Sequence, residues 1–260
     1  MEAFNGMKKF HRKELRDIWY DEPSMVRRYQ AIWNGNISLQ RLYRHLCSLV
    51  MQDVTGNPVV ELGGGSGLFR EFYPQVKITD INPFPGIDVR CDASKLPLKN
   101  DSVGSFVSIG FLHHCVNPRR LFEEIQRTLK PGGRFVLSDP AVTPVSRIIF
   151  KYATHEGLDM LEPPFEQVSR QAQHPLLEAN IARACIIFEK NRKLFEQNFP
   201  GLRIVRIERH NLFRNIISGS FIMKSSFPEW MYPVVSLADT VLHPLNGLLG
   251  MLMKVVLEKR

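Results

Sequence analysis

The chain predicts an α/β fold, a twisted and mostly parallel sheet flanked by helices. Three observations predict it. Short β-branched runs alternate with helical patterns between residues 57 and 140, a glycine-dense loop follows the first run, and carboxylates end successive runs.

Residues 11–52 alternate apolar and basic positions at helical spacing, interrupted by the turn-like Asn34-Gly35-Asn36. This predicts two or three short helices in an N-terminal basic segment, 1–52. The main domain, 53–260, opens with a strand at NPVVEL (57–62), a glycine loop and a helix through Phe72. Further strands are expected at QVKITD (75–80), IDVRCD (87–92), GSFVSIG (104–110) and GRFVLSDP (133–140). PRRLFEEIQRTLK (118–130) predicts a helix with Pro118 in its first turn and Pro131-Gly132-Gly133 ending it. Leu121, Phe122, Ile125 and Leu129 share one face, suited to covering the sheet. The alternation then lapses into two insertions, 141–200 and 209–250. The first holds Thr154-His155-Glu156-Gly157 and a long helical pattern from about Leu176 to Phe199. LRIVRIE (202–208) and KVVLE (254–258) read as the last two strands.

Composition narrows the setting. The N-terminus lacks an apolar leader segment, and no run of about 18 apolar residues exists, so a cytoplasmic protein is expected. Cys47, Cys91, Cys115 and Cys185 form no Cys-x-x-Cys pair and read as reduced thiols. The net charge of +8, concentrated at Lys8, Lys9, Arg12, Lys13, Arg16, Arg27, Arg28, Arg41 and Arg44, suits an anionic partner. Nucleic acid, an anionic membrane surface or a phosphate-bearing substrate would each serve, as would a merely solvated helical face. The apolar segment 227–253 is open to three readings: lid, lipid-facing surface or core. Trp230, Val234, Leu237 and Val241 form one stripe there, for which core packing is the default.

The loop carries the chemistry. Glu61 ends the first strand, and Gly63, Gly65 and Gly67 follow on alternate positions, so a ligand can lie against bare backbone. The dinucleotide pattern Gly-x-Gly-x-x-Gly fails in every frame, and no Gly-Lys-Ser/Thr follows. A pyrophosphate ligand is thereby disfavoured. Asp80, ending the second strand, is placed for two ribose hydroxyls, and Asp92 with Ala93, ending the third, for an adenine amino group.

The ordered set E-L-G-G-G-S-G, T-D, C-D-A-S-K-L-P, F-L-H-H-C and L-K-P-G-G resembles the class I S-adenosylmethionine-dependent methyltransferases across residues 57–140. The resemblance implies a Rossmann-like, seven-stranded, mostly parallel sheet ending in an antiparallel hairpin, with a substrate-side cap. It implies S-adenosylmethionine as cofactor, held by Glu61, Gly63, Gly65, Gly67, Asp80, Ile81, Asp92, Ala93, Ile109 and Gly110. Glu61 would lie near the methionyl amino group, and Ile109 and Gly110 would border the sulfonium. The remainder is similar to bacterial members associated with surface-polysaccharide and lipid assembly. The implied activity is methyl transfer to oxygen of a glycan, lipid-linked sugar or other small metabolite. An RNA methyltransferase and a non-catalytic, membrane-peripheral cofactor-binding protein are the alternatives.

Methyl transfer chiefly needs alignment, and a hydroxyl acceptor gains from a base. His114 and His155 are the candidates. His113 and His114 follow the fourth strand in what reads as an extended loop, so at most one should face the site, and hydrogen-bonded loop anchors at the helix entrance are the default reading for both. No metal site is expected, because such close neighbours share one ion poorly.

Overall fold

The computed structural model describes residues 22–154, 156–166, 179–219 and 228–260. Seven strands form one sheet in the order β3-β2-β1-β4-β5-β7-β6. They are β1 Val59–Leu62, β2 Lys77–Asp80, β3 Val89–Arg90, β4 Val103–Ile109, β5 Leu129–Pro140, β6 Leu202–His210 and β7 Leu252–Lys259. The first five pair in parallel, while β7 lies antiparallel between β5 and β6. The Rossmann-like sheet and its terminal antiparallel pair are therefore as the sequence predicts. Crossover helices on both faces explain why β1 is buried along its whole length.

Among the described residues two helices precede the sheet, α1 Glu22–Asn34 and α2 Ile37–Met51. Asn36 separates them because its side chain accepts the Leu39 N–H at 2.9 Å and so caps α2. Leu42, Leu46, Cys47 and Val50 of α2 pack on one side of the sheet, which also receives the short α3 Leu68–Phe72. On the other side α4, Pro118–Thr128, buries Leu121, Phe122 and Ile125. Phe122 meets Phe188, Phe195 and Phe199 at ring separations of 5.1–5.8 Å, which ties the 141–200 segment to that layer. The basic residues before Glu22 lie outside the described residues.

Three expectations are corrected. The 118–130 helix stops at Thr128, and Leu129 already pairs with Val103. Lys130-Pro131-Gly132-Gly133 falls in the irregular start of β5, where a Cβ on Gly133 would come within 2.7 Å of the Gly104 carbonyl oxygen. The third strand is only two residues long, Val89–Arg90, and Cys91 just beyond it closes the pairing with its N–H on the Asp80 carbonyl at 2.8 Å. The described part of the helical pattern ending at Phe199 is broken into α6 Arg183–Cys185, a wide turn Ile186–Lys190 and α7 Arg192–Asn198. Asn191 causes the break, donating both its backbone and side-chain N–H groups to the Ile186 carbonyl.

Between the strands lie α5 Pro144–Ala153, and then α8 Phe213–Ser218, α9 Met231–Val241 and α10 Asn246–Leu249. Asp239 of α9 accepts the backbone N–H groups of Leu212, Phe213 and Arg214 and so anchors α9 to the start of α8. No helix among the described residues is long and apolar enough to cross a membrane.

Candidate functional site

The strand order places four carboxyl-terminal tips side by side, those of β3, β2, β1 and β4. Glu61 of β1 is opposite Ile78 of β2, and Asp80 is opposite Arg90 of β3. The loop after β1 needs its glycines: Gly63, Gly65 and Gly67 have φ of 64°, 53° and 79°. Gly64 is needed for a different reason. A Cβ there would lie 2.5 Å from both Glu61 Oε2 and Ile78 Cγ2. Around Gly65 nothing lies within 4 Å of such a Cβ, so its face is open, whereas the Phe111 ring packs on Gly63.

Asp80 organises the loop. Its Oδ2 accepts the Gly65 N–H at 2.9 Å and its Oδ1 the Asn82 N–H at 2.8 Å. Burial raises its pKa, and these N–H groups work against that rise. Glu61 is 6% exposed, and its Oε2 is buried without a hydrogen-bond partner. Burial, with the nearby Asp80 charge, pushes its pKa up to about 8, against the pull of Arg70. An orphaned carboxylate oxygen beneath open backbone is a fit for a ligand that brings a cation, as a methionyl ammonium would.

The structure brings Glu61, Gly63, Gly65, Gly67 and Asp80 together, with Ile81 exposed beside them. Asp92 is exposed, and its Oδ1 accepts the Ser94 N–H at 2.8 Å, so it also starts a turn. Ala93 packs partly against the core. Ile109 ends β4, and Gly110, at φ 64°, donates its N–H to the Ser138 carbonyl at 2.8 Å.

Beyond Gly110 the chain forms a 3-10 turn, Leu112–His114, rather than an extended loop. The cause is Asp139, near the end of β5 and fully buried. It accepts the N–H groups of Phe111, Leu112 and His113 at 2.9–3.2 Å, and its Oδ1 lies 2.6 Å from His113 Nδ1. The two histidine rings therefore sit side by side, with centroids 4.1 Å apart, instead of diverging. Glu156 approaches both, with oxygens 3.8 Å from His113 Nε2 and 3.7 Å from His114 Nε2. Burial alone would lower the His113 pKa, but the Asp139 and Glu156 charges reverse this and raise it to about 10. Burial and the neighbouring His113 push His114 down to about 3. Arg183 and Asn180 fix the turn from behind by donating to the His113 carbonyl, and Arg183 also pairs with Glu162. His155 lies outside the described residues. Asp139 was not singled out in the sequence, although its place in Ser138-Asp139-Pro140, at a strand end beside the glycine loop's neighbours, was the available signal.

The stripe on α9 is not core. Trp230, Val234, Leu237 and Val241 are 70%, 59%, 64% and 67% exposed, and Leu245 and Leu248 after the helix are exposed as well.

Comparison with known proteins agrees with this layout. Residues 60–137 match the family model described as a methyltransferase domain. An uncharacterized methyltransferase of Mycobacterium ulcerans is 27% identical over 140 residues, 48% of this chain and 54% of that protein. The phthiotriol/phenolphthiotriol dimycocerosates methyltransferase of Mycobacterium tuberculosis is 27% identical over 199 residues, 70% of this chain and 69% of its own length. A crystal structure of a SAM-dependent methyltransferase from Archaeoglobus fulgidus shares the fold, with a TM-score of 0.51 at 18% identity over 85% of this chain and 94% of that one. Sheet order, glycine loop and the match over residues 60–137 identify a methyltransferase domain with the class I, Rossmann-like fold. It is an enzyme domain, and its cofactor is S-adenosylmethionine.

Proposed function

We propose that the protein methylates an oxygen of a lipid-linked sugar, glycan or comparable lipid-anchored acceptor while seated on an anionic membrane surface. The exposed α9 stripe carries this choice of acceptor: an isolated apolar residue on a surface is ordinary, but a continuous stripe that includes a tryptophan is not. The net charge of +8 adds attraction to an anionic bilayer. The similarity to a phthiotriol dimycocerosates methyltransferase supports the same reading.

Bound S-adenosylmethionine supplies a methyl group already activated on a positive sulfonium. The chain's own residues bind and orient. Each Asp80 oxygen, after accepting one backbone N–H, keeps a lone-pair direction for a ribose hydroxyl. Glu61 meets the methionyl ammonium with its unpartnered Oε2. Gly63, Gly65 and Gly67 allow the backbone to approach, and Phe111 walls the Gly63 side. Asp92 and Ala93 receive the adenine, with Ile81 as an apolar neighbour, and Ile109 and Gly110 border the sulfonium end. His114 serves the acceptor side: held down to about 3, its imidazole is neutral at physiological pH and keeps a lone pair for a hydroxyl. His155 is proposed alongside it from the sequence alone.

The test uses labelled cofactor with cell extract separated into organic and aqueous phases, together with vesicle flotation. Label in the organic phase, and flotation with anionic but not neutral vesicles that Leu237→Asp abolishes, is the expected result. Label confined to ribonuclease-sensitive material would overturn the acceptor assignment.

A further inference from the structure

We propose that His113, His114 and Glu156 form a binding site for one divalent transition-metal ion on the rim beside Gly110. The donor atoms of the three residues all lie within 4.8 Å of one another. The two separations between imidazole Nε2 and Glu156 oxygens, 3.8 and 3.7 Å, are too long for hydrogen bonds. They are close to the separation of two donors on one ion: with ligands at about 2.0–2.2 Å in a tetrahedron, donors sit about 3.4 Å apart.

The surroundings orient the ligands in advance. Asp139 fixes His113 through Nδ1 at 2.6 Å, which directs Nε2 toward Glu156. A buried carboxylate on the outer nitrogen of a ligating histidine is the usual second support of a metal site. Three backbone N–H groups hold Asp139 in turn, so the support is rigid. The 3-10 turn is what allows two adjacent histidines to serve one ion, because it lays their rings side by side at 4.1 Å. His114 Nδ1 is also buried without a hydrogen-bond partner, so no hydrogen bond at that nitrogen accounts for the ring's orientation.

Two imidazoles and one carboxylate favour zinc, iron(II), cobalt or nickel over magnesium or calcium, which prefer all-oxygen sets. Three protein ligands leave a position open. A Cβ on Gly110 would lie 3.7 Å from His113 Cε1, so the cluster adjoins the end of β4. If the rim acts in methyl transfer as proposed above, on which this part of the inference rests, the open position would orient an oxygen of the acceptor there. With the ion bound, the His114 lone pair is engaged by the metal, and the ion in place of His114 would meet the acceptor oxygen.

The experiment takes the full chain, stripped with a chelator, and measures S-adenosylhomocysteine binding by calorimetry before any metal is added. Cobalt(II) is then titrated and followed by visible absorption, with zinc as competitor. One equivalent of cobalt, giving the intense bands of four- or five-coordination and displaced by zinc, is expected. His114→Ala and Glu156→Gln should each weaken cobalt binding at least about tenfold, and Asp139→Asn by about 10–100-fold. S-adenosylhomocysteine affinity in Glu156→Gln should stay within about twofold of the wild type, which shows that the variant is folded. Absence of cobalt binding, or binding that both ligand substitutions leave unchanged, would overturn the site. A chain that binds cobalt with those losses but never binds S-adenosylhomocysteine keeps the metal site and removes the methyl-transfer role of the rim.

Discussion

Replacing Glu61 by glutamine separates two effects of one buried carboxyl. In the ligand-free protein, burial and the neighbouring Asp80 raise its pKa from 4.5 to about 8. The native state thus holds a proton that the unfolded chain releases above pH 4.5. The stability from this group is complete below pH 4.5 and is lost as pH climbs through about 8. At about 1.4 kcal/mol per pH unit, the ceiling is about 5 kcal/mol, and solvent relaxation brings the observable part below it. Glutamine cannot ionise, so Glu61→Gln should be little changed at pH 5 and more stable than wild type at pH 9. With about 2–4 °C per kcal/mol for a chain of this size, the melting-temperature gap should widen by at least about 4 °C between those pH values. Ligand binding should respond in the opposite sense. A methionyl ammonium brings the charge that the carboxylate lacks, so the substitution should weaken S-adenosylhomocysteine about 10–100-fold. Thermal melts at pH 5 and 9, and calorimetry at pH 7.5 in buffers of different ionisation enthalpy, measure both halves. Wild type should release a fraction of a proton on binding, and the variant none. Parallel pH profiles with unchanged proton release would refute the account of Glu61.

Other substitutions test neighbouring parts of the structure. Gly64→Ala forces a Cβ to within 2.5 Å of Glu61 Oε2 and Ile78 Cγ2, so calorimetry should find cofactor binding lost and thermal melts a stability loss of about 1–3 kcal/mol. Asp139→Asn weakens the buried contact with His113 and should cost about 2–4 kcal/mol by denaturant titration near neutral pH, in metal-free protein. With the His113 pKa raised to about 10, that loss should be largest below pH 6.5 and fade as pH rises through 10. Arg183→Met takes the paired cation from buried Glu162, which keeps its Asn180 hydrogen bond, and removes one of two donors to the His113 carbonyl, and should cost about 3–5 kcal/mol in the same titration.

The sheet was legible because its signals are local. Val59-Val60 before a glycine loop, Thr79-Asp80 at a strand end and Pro118 at a helix start each state their own element. The strand ends that carry Glu61 and Asp80 were legible for the same reason, since they lie within one stretch of chain. What escaped depends on distant partners. The 3-10 turn at Leu112–His114 exists because Asp139, from another strand, collects its N–H groups, and nothing at Phe111-Leu112-His113 announces that. Adjacent histidines in an extended loop would diverge, whereas the turn lays their rings side by side. The α9 stripe misled differently: helical spacing marks an apolar face but not what covers it, and here Trp230, Val234, Leu237 and Val241 face outward. Leu129 shows a local limit, because a residue periodic with the helix was instead taken by pairing with Val103.

The central claim is that open backbone after β1, flanked by Glu61 and Asp80, receives the adenosyl and methionyl groups of one cofactor. Calorimetric titration of S-adenosylhomocysteine into the folded full-length chain, beside Asp80→Ala, tests it most directly. One site is expected, weakened more than about tenfold when the two Asp80 oxygens are removed. A folded wild-type chain that gives no binding heat, or an Asp80→Ala variant with undiminished affinity, would contradict it.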